Sequence, residues 1–231
     1  MKKKLTILLG VLLAVLAAVY FLWGRTYLTR HFTEVRVDDS ALEGVGAHDW
    51  GRTLTVYFTR VGNSDFAPDV DAVSSASLMT DGTQLIGNSQ LLAQMIQKGA
   101  GGSLYAIETE KKYPSSYNDT VAEAQKEMRD GAPLALTGEL PALDEYDTIV
   151  LVYPLWWGTI PKAVESFVQQ AGMAGHEIRV VVSHGGSGAG SSVRDLEALG
   201  VTVKAPVLEV FDRDTVAAAA SVETWMSAVG N

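Results

Sequence analysis

Residues 149–153 read IVLVY, five apolar residues without a break inside DTIVLVYPLW (147–156). Successive side chains of a strand point to opposite faces, so such a run is stable only where both faces are covered. This asks for a parallel sheet with helices on both sides, and the flanking sequence supplies the parts. Four further stretches read as strands: TLTVYFTR (53–60), SLYAIETE (103–110), HEIRVVVSHG (176–185) and TVKAPVLEV (202–210). Between and after them lie helical patterns. NSQLLAQMIQK (88–98) carries Leu91, Leu92, Met95 and Ile96 on one face, and SYNDTVAEAQKEMRDG (116–131) ends on the stop Gly131. IPKAVESFVQQAG (160–172), SSVRDLEALG (191–200) and ASVETWMSAVG (220–230) complete the set. Strict alternation with right-handed crossovers predicts an α/β domain over residues 51–231, a doubly wound five-stranded parallel sheet. Residues 65–87 do not fit. They separate the first strand from its helix by far more than an ordinary connection.

The two ends of the chain differ. Three lysines (Lys2, Lys3, Lys4) precede 19 uncharged, mostly apolar residues, 5–23, and Arg25 follows. At about 1.5 Å per residue this matches roughly 30 Å of hydrocarbon, so residues 1–24 are expected to form one N-terminal transmembrane helix. A cleaved signal segment is the alternative, and Tyr20, Phe21 and Trp23 favour an interfacial aromatic anchor over it. The lysines predict a cytoplasmic N-terminus and an extracytoplasmic domain, or a secreted one if the segment is removed. Residues 25–50 show no periodicity and read as a linker. Of the 18 basic and 27 acidic residues, six and one fall within 1–36, leaving 12 and 26, a net −14, on the remainder. That charge excludes nucleic acid as a partner and suits a protein with a basic face. The absence of cysteine excludes disulfides and thiolate metal sites, and the four histidines have no companions at ligand spacing, so no metal is expected.

Ligands of open parallel sheets bind beyond the carboxyl ends of the strands. Three loops there carry chemistry. TRVGNS (59–64) offers hydroxyls and backbone N–H groups, and its helix opens later, at GNSQLLAQ (87–94), where Asn88 or Ser89 sits at a helix N-terminus suited to an anion. PLWWGT (154–159) supplies a flat aromatic surface. SHGGSGAGSS (183–192) lets backbone approach a ligand closely. A phosphate at one end and a flat heterocycle at the other describe flavin mononucleotide, FMN. No Walker or G-x-G-x-x-G pattern is present. HGGS invites a hydrolase reading, but every histidine precedes Ser187, the reverse of the Ser–acid–His order, and GGSGA is not a G-x-S-x-G elbow.

VYFTRVGNSDF, GNSQLLAQMI, YPLWWGTIPKAVESFV and SHGGSGAGSSVRDL resemble, in order, the signature stretches of the flavodoxin-like family, in particular a branch with Y-P-x-W-W-G-T and H-x-G-S-G-x-G-x-S loops. The resemblance spans about residues 53–210. It implies that Thr59, Arg60, Val61, Asn88 and Ser89 hold the phosphate of FMN. It further implies that Pro154, Leu155, Trp156, Trp157, Gly158, Ser183, His184, Gly185 and Gly186 hold the ring. Val61 stands where the family has a second hydroxyl, and GNS occurs twice (62–64 and 87–89), the second copy being the expected helix start. His184 is the candidate to hydrogen-bond the ring or give it a proton. An acidic rim of Asp65, Asp69, Asp71, Asp144, Glu145 and Asp147 is expected to disfavour the reduced, anionic flavin. Three functions follow as expectations. The first is an electron carrier docking a redox partner protein; the second, an FMN-dependent NAD(P)H:quinone-type oxidoreductase with a small-molecule acceptor. The third is a flavin-free partner-binding module.

Overall fold

The computed structural model describes residues 2–20, 37, 39–66, 78–80 and 84–230. The chain divides into two units, Met1–Glu34 and Val35–Asn231. In the first, helix α1 runs over Lys2–Val19, 18 residues that include the three lysines. Among the described residues no helix is long and apolar enough to cross a membrane. The expected transmembrane helix is therefore not found as such; the predicted span continues through residues 21–23, which lie outside the described ones.

In the second unit, strands β1 (Thr53–Tyr57), β4 (Ser103–Ala106), β5 (Thr148–Pro154), β6 (Glu177–His184) and β7 (Thr202–Phe211) form one parallel sheet in the order β4-β1-β5-β6-β7. The five strands are those the sequence predicts, shortened at their ends. Helices α2 (Asn88–Ala100), α3 (Tyr117–Asp130), α4 (Lys162–Gln170), α5 (Ser192–Ala198) and α6 (Ala219–Val229) follow them in turn. The unbroken apolar run behaves as its period dictates. Ile149, Leu151 and Tyr153 enter one core with Phe167 of α4 and Leu196 of α5, while Val150 and Val152 enter a second core with α2 and α6. Every residue of β5 is buried.

Two departures from the sequence reading concern connections. Within the over-long stretch 65–87, β2 (Leu78–Thr80) and β3 (Leu85–Gly87) pair as an antiparallel hairpin leading straight into α2, and Leu78 and Met79 are buried. The linker expected over 25–50 is not a free tether in its second half. Val37, Ala41, Val45 and Trp50 are buried in the second core. Trp50 meets Trp225 of α6 edge-on with ring centroids 5.8 Å apart, and the Gly46 N–H donates to the Glu223 carboxylate at 2.8 Å. The His48 N–H donates to the Gly99 carbonyl at 2.8 Å. Beyond one short helical turn at Asp39–Leu42, this segment has no internal period because long-range partners satisfy it.

Candidate functional site

The crossovers on either side of the central pair β1/β5 run in opposite directions, which opens a crevice beyond the carboxyl ends of these strands. A cavity of about 280 Å³ lies there, lined by Arg60, Tyr117, Thr120, Val121, Ala124, Pro154, Leu155, Trp156, Trp157, Ser183, His184 and Gly185. The structure thus brings eight of the predicted site residues to one cavity. Gly158 and Gly186 belong to the turns that carry them.

The aromatic loop is built around one tight turn. Trp156 and Thr159 exchange N–H···O bonds of 3.1 and 3.0 Å across Trp157 (φ 51°) and Gly158 (φ 79°). Both central residues are left-handed, natural for glycine and costing about 1 kcal/mol or more for a bulky residue. Surrounding bonds hold this geometry. The Ser191 N–H donates to the Gly158 carbonyl at 2.8 Å. Thr159 Oγ and Ser191 Oγ both donate to one oxygen of Asp195, at 2.5 and 2.6 Å. Burial pushes the Asp195 carboxyl up, but these bonds and Arg194 outweigh it and hold the carboxyl below its usual range. Gly190 completes the joint: a Cβ there would sit 2.3 Å from the Gly158 carbonyl oxygen, so only glycine lets the two loops meet.

The two tryptophans have different tasks. Trp156 packs edge-on against Phe58 and Tyr113, centroids 5.2 Å away in each case, and forms a fixed wall. Trp157 is half exposed, and its indole N–H donates to the Val121 carbonyl of α3 at 3.1 Å. That bond ties the loop to a helix whose Tyr117, Thr120, Val121 and Ala124 form the opposite wall. Sequence reasoning missed these four. Their spacing marks one helical face, which is equally the signature of a core stripe.

Arg60 is almost fully buried, and its Nη2 donates to the carbonyls of Pro114 and Ser115 at 3.2 and 2.8 Å. Thr120 Oγ donates to the same Pro114 oxygen at 2.7 Å, so Arg60 also fixes the start of α3. Burial pulls the guanidinium down to about 10, and it stays cationic at neutral pH. Beneath it Asn63, wholly buried, donates to the carbonyls of Thr59 and Ile107, both at 2.8 Å. Its oxygen accepts from the Thr109 N–H at 2.8 Å and lies 3.1 Å from the Thr109 hydroxyl, which donates to the Lys111 carbonyl at 2.8 Å. The first GNS copy is therefore a buried latch between two loops. The second opens α2, with Gly87 at the cap; glycine offers no side chain to the first helical N–H groups, and the Gln90 side chain accepts the Gly87 N–H at 3.3 Å.

Of the predicted phosphate-side residues, Arg60 lines the cavity, while Thr59, Val61, Asn88 and Ser89 gather near this helix start and do not. Thr59, Asn88 and Ser89 are buried, and Val61 is half buried with its N–H 3.4 Å from Thr59 Oγ. A Cβ on Gly87 would lie 1.8 Å from Thr59 Oγ, so the hydroxyl fills the space glycine leaves. Ser89 Oγ is 3.4 Å from Ser183 Oγ, which joins this group to the ring side.

The acidic rim needs correction. Asp144, Glu145 and Asp147 precede β5 and so lie at the amino end of the sheet, about 20 Å from the crevice by strand rise. Asp147 accepts two bonds from the Arg52 side chain, at 3.0 and 2.8 Å, and one from its N–H at 2.9 Å. These bonds hold the carboxyl down at about 2. Asp69 and Asp71 lie outside the described residues. Asp65 is exposed directly after the first site loop, and Glu209 of β7, which the rim did not include, accepts from the Ala189 N–H at 3.0 Å in the glycine loop.

A family model described as flavodoxin matches residues 83–219. Among solved structures, a protein assigned as a flavoprotein from Bacteroides eggerthii DSM 20697 is 19% identical with a TM-score of 0.57, covering 78% of this chain and 98% of that one. Another, from Bacteroides uniformis ATCC 8492, is 22% identical with a TM-score of 0.55, covering 77% and 98%. Both share the fold. No curated protein matches the sequence.

Proposed function

The chain belongs to the flavodoxin family, and we propose that its domain binds FMN non-covalently in the crevice beyond β1, β5 and β6 and passes electrons to a redox partner. The observation that carries this reading is a cavity walled by Trp156, Trp157 and Tyr117, joined through Ser183 and Ser89 to the N-terminus of α2. Flat walls suit a flat ring, and the N-terminus of a helix suits a phosphate. FMN is the cofactor of this family and supplies the electron chemistry when bound.

The chain's own residues have separate tasks. Pro154, Leu155 and Trp156 would set the plane of the ring, and Trp157 would cover it at the mouth. The loop from Ser183 to Gly186 would bring backbone and His184 to its polar edge. Thr59, Asn88 and Ser89 would surround the phosphate at the start of α2, which requires Thr59 and its neighbours to part from the packing described above. Arg60, expected on the phosphate side, keeps a positive charge in the cavity wall.

The N-terminal segment is proposed as a membrane tether that leaves the acidic domain outside the cytoplasm and open to a partner with a basic face. Its 19 uncharged residues behind three lysines support this. Membrane fractionation and protease protection test it; a freely soluble chain would refute it.

The function test is the visible spectrum of the chain mixed with FMN and desalted. A retained, perturbed flavin band, weakened by Trp156→Ala or Trp157→Ala, supports the reading, and a colourless protein refutes it. Steady NAD(P)H consumption with a quinone acceptor would instead assign an FMN-dependent oxidoreductase.

A further inference from the structure

His184 closes β6 at the floor of the cavity, and its two ring nitrogens have unequal surroundings. Nδ1 accepts the Gly186 N–H at 3.0 Å, within the glycine loop. The ring stands edge-on to Phe211 of β7, centroids 6.1 Å apart. No described group bonds Nε2. A backbone N–H can only donate, so Nδ1 must carry a lone pair. The neutral ring then bears its proton on Nε2, the nitrogen turned away from the loop.

Two consequences follow. A proton on Nδ1 as well would set two donors against each other and break the turn at Gly186. Arg60, from the end of β1, lines the same cavity, and Glu209 of β7 accepts the Ala189 N–H of the same loop. Conversely, giving up the Nε2 proton from a neutral ring would leave an imidazolate, which neutral water does not support.

Resting on the reading of this crevice as a flavin site, we propose that His184 is a fixed hydrogen-bond donor, through Nε2–H, to an oxygen or nitrogen acceptor on the ring's edge, and is not the proton donor. Gly186 is the residue that selects this tautomer.

The test has two arms. In the first, the chain labelled with ¹⁵N-histidine is examined by NMR without flavin. The expected His184 pattern is an unprotonated Nδ1 and a protonated Nε2, with the Gly186 amide moving as the ring is acidified. A dominant Nδ1–H tautomer overturns the proposal whether or not flavin binds.

In the second, FMN is titrated into variants. His184→Gln keeps an N–H near the Nε2 position and should bind FMN like the parent chain. His184→Leu removes the donor and should bind about three- to tenfold more weakly, the size of one hydrogen bond. Equal affinity of parent and His184→Leu overturns the proposal. So does a dithionite- or nicotinamide-driven reduction rate that falls in His184→Gln as far as in His184→Leu, since glutamine can donate a hydrogen bond but not a proton. If the parent binds no FMN, the flavin reading fails while the first arm still decides the tautomer.

Discussion

Replacing Asn63 by alanine should unfold the site before it changes any residue of the cavity wall. The side chain is wholly buried and makes three bonds: two donated to the carbonyls of Thr59 and Ile107, one accepted from the Thr109 N–H. Each neutral bond contributes about 1 kcal/mol net, and a buried group left without its partner costs about 1–3 kcal/mol. The Thr109 hydroxyl keeps its bond to the Lys111 carbonyl, which softens the loss. The total is on the order of 3–4 kcal/mol, a large part of the roughly 5–15 kcal/mol that holds a domain together. Urea unfolding read by tryptophan fluorescence measures it, with an unchanged slope showing that the same surface unfolds. Asn63→Asp sharpens the argument. It sets an oxygen where the two carbonyls expect a donor, so the introduced carboxyl has its folded-state value raised by burial above the unfolded value of about 3.9. A raised group contributes stability that is complete below the unfolded value and is lost as pH rises through the folded one. Asn63→Asp should therefore gain on Asn63→Ala as pH falls from 8 to 5. A loss below 1 kcal/mol in Asn63→Ala, or a gap between the two variants that ignores pH, would refute the reasoning.

Gly190→Ala must fit a Cβ 2.3 Å from the Gly158 oxygen at a φ of 55°; strain of about 1–3 kcal/mol should appear as a lower Tm and a weakened flavin band. Asp147→Asn should leave FMN affinity and midpoint potential unchanged, because about 20 Å of strand far exceeds the screening length of about 8 Å. Its effect should appear in stability against pH. A carboxyl held at about 2 contributes above the unfolded value near 4 and loses that contribution as pH falls towards 2, so the parent and variant curves should converge in acid. A shifted flavin potential in Asp147→Asn would restore the acidic rim.

The fold was legible in the chain because its evidence is local. The run 149–153 demands cover on both faces, the helical stripes supply it, and the alternation leaves one simple sheet order. The gathering of the residues expected at the ring was legible for a related reason: loops that follow strands must meet at one end of a parallel sheet. The same rule places Asp144, Glu145 and Asp147, which precede a strand, at the other end, and the acidic rim went against it. What the chain could not show is pairing at a distance. Tyr117, Thr120, Val121 and Ala124 look like any core stripe until Trp157 donates to Val121 and turns their helix into a wall. Asn63 and Asn88 sit in the same three-letter context, yet one is a buried latch and the other opens a helix. Residues 37–50 have no pattern because their partners, Gly99, Glu223 and Trp225, lie some 50 to 175 residues away. Sequence by itself thus determined the order of elements and the end of the sheet where chemistry belongs. Only the tertiary structure decided which faces close over that end, since a hydrogen bond between distant residues leaves no period in the chain.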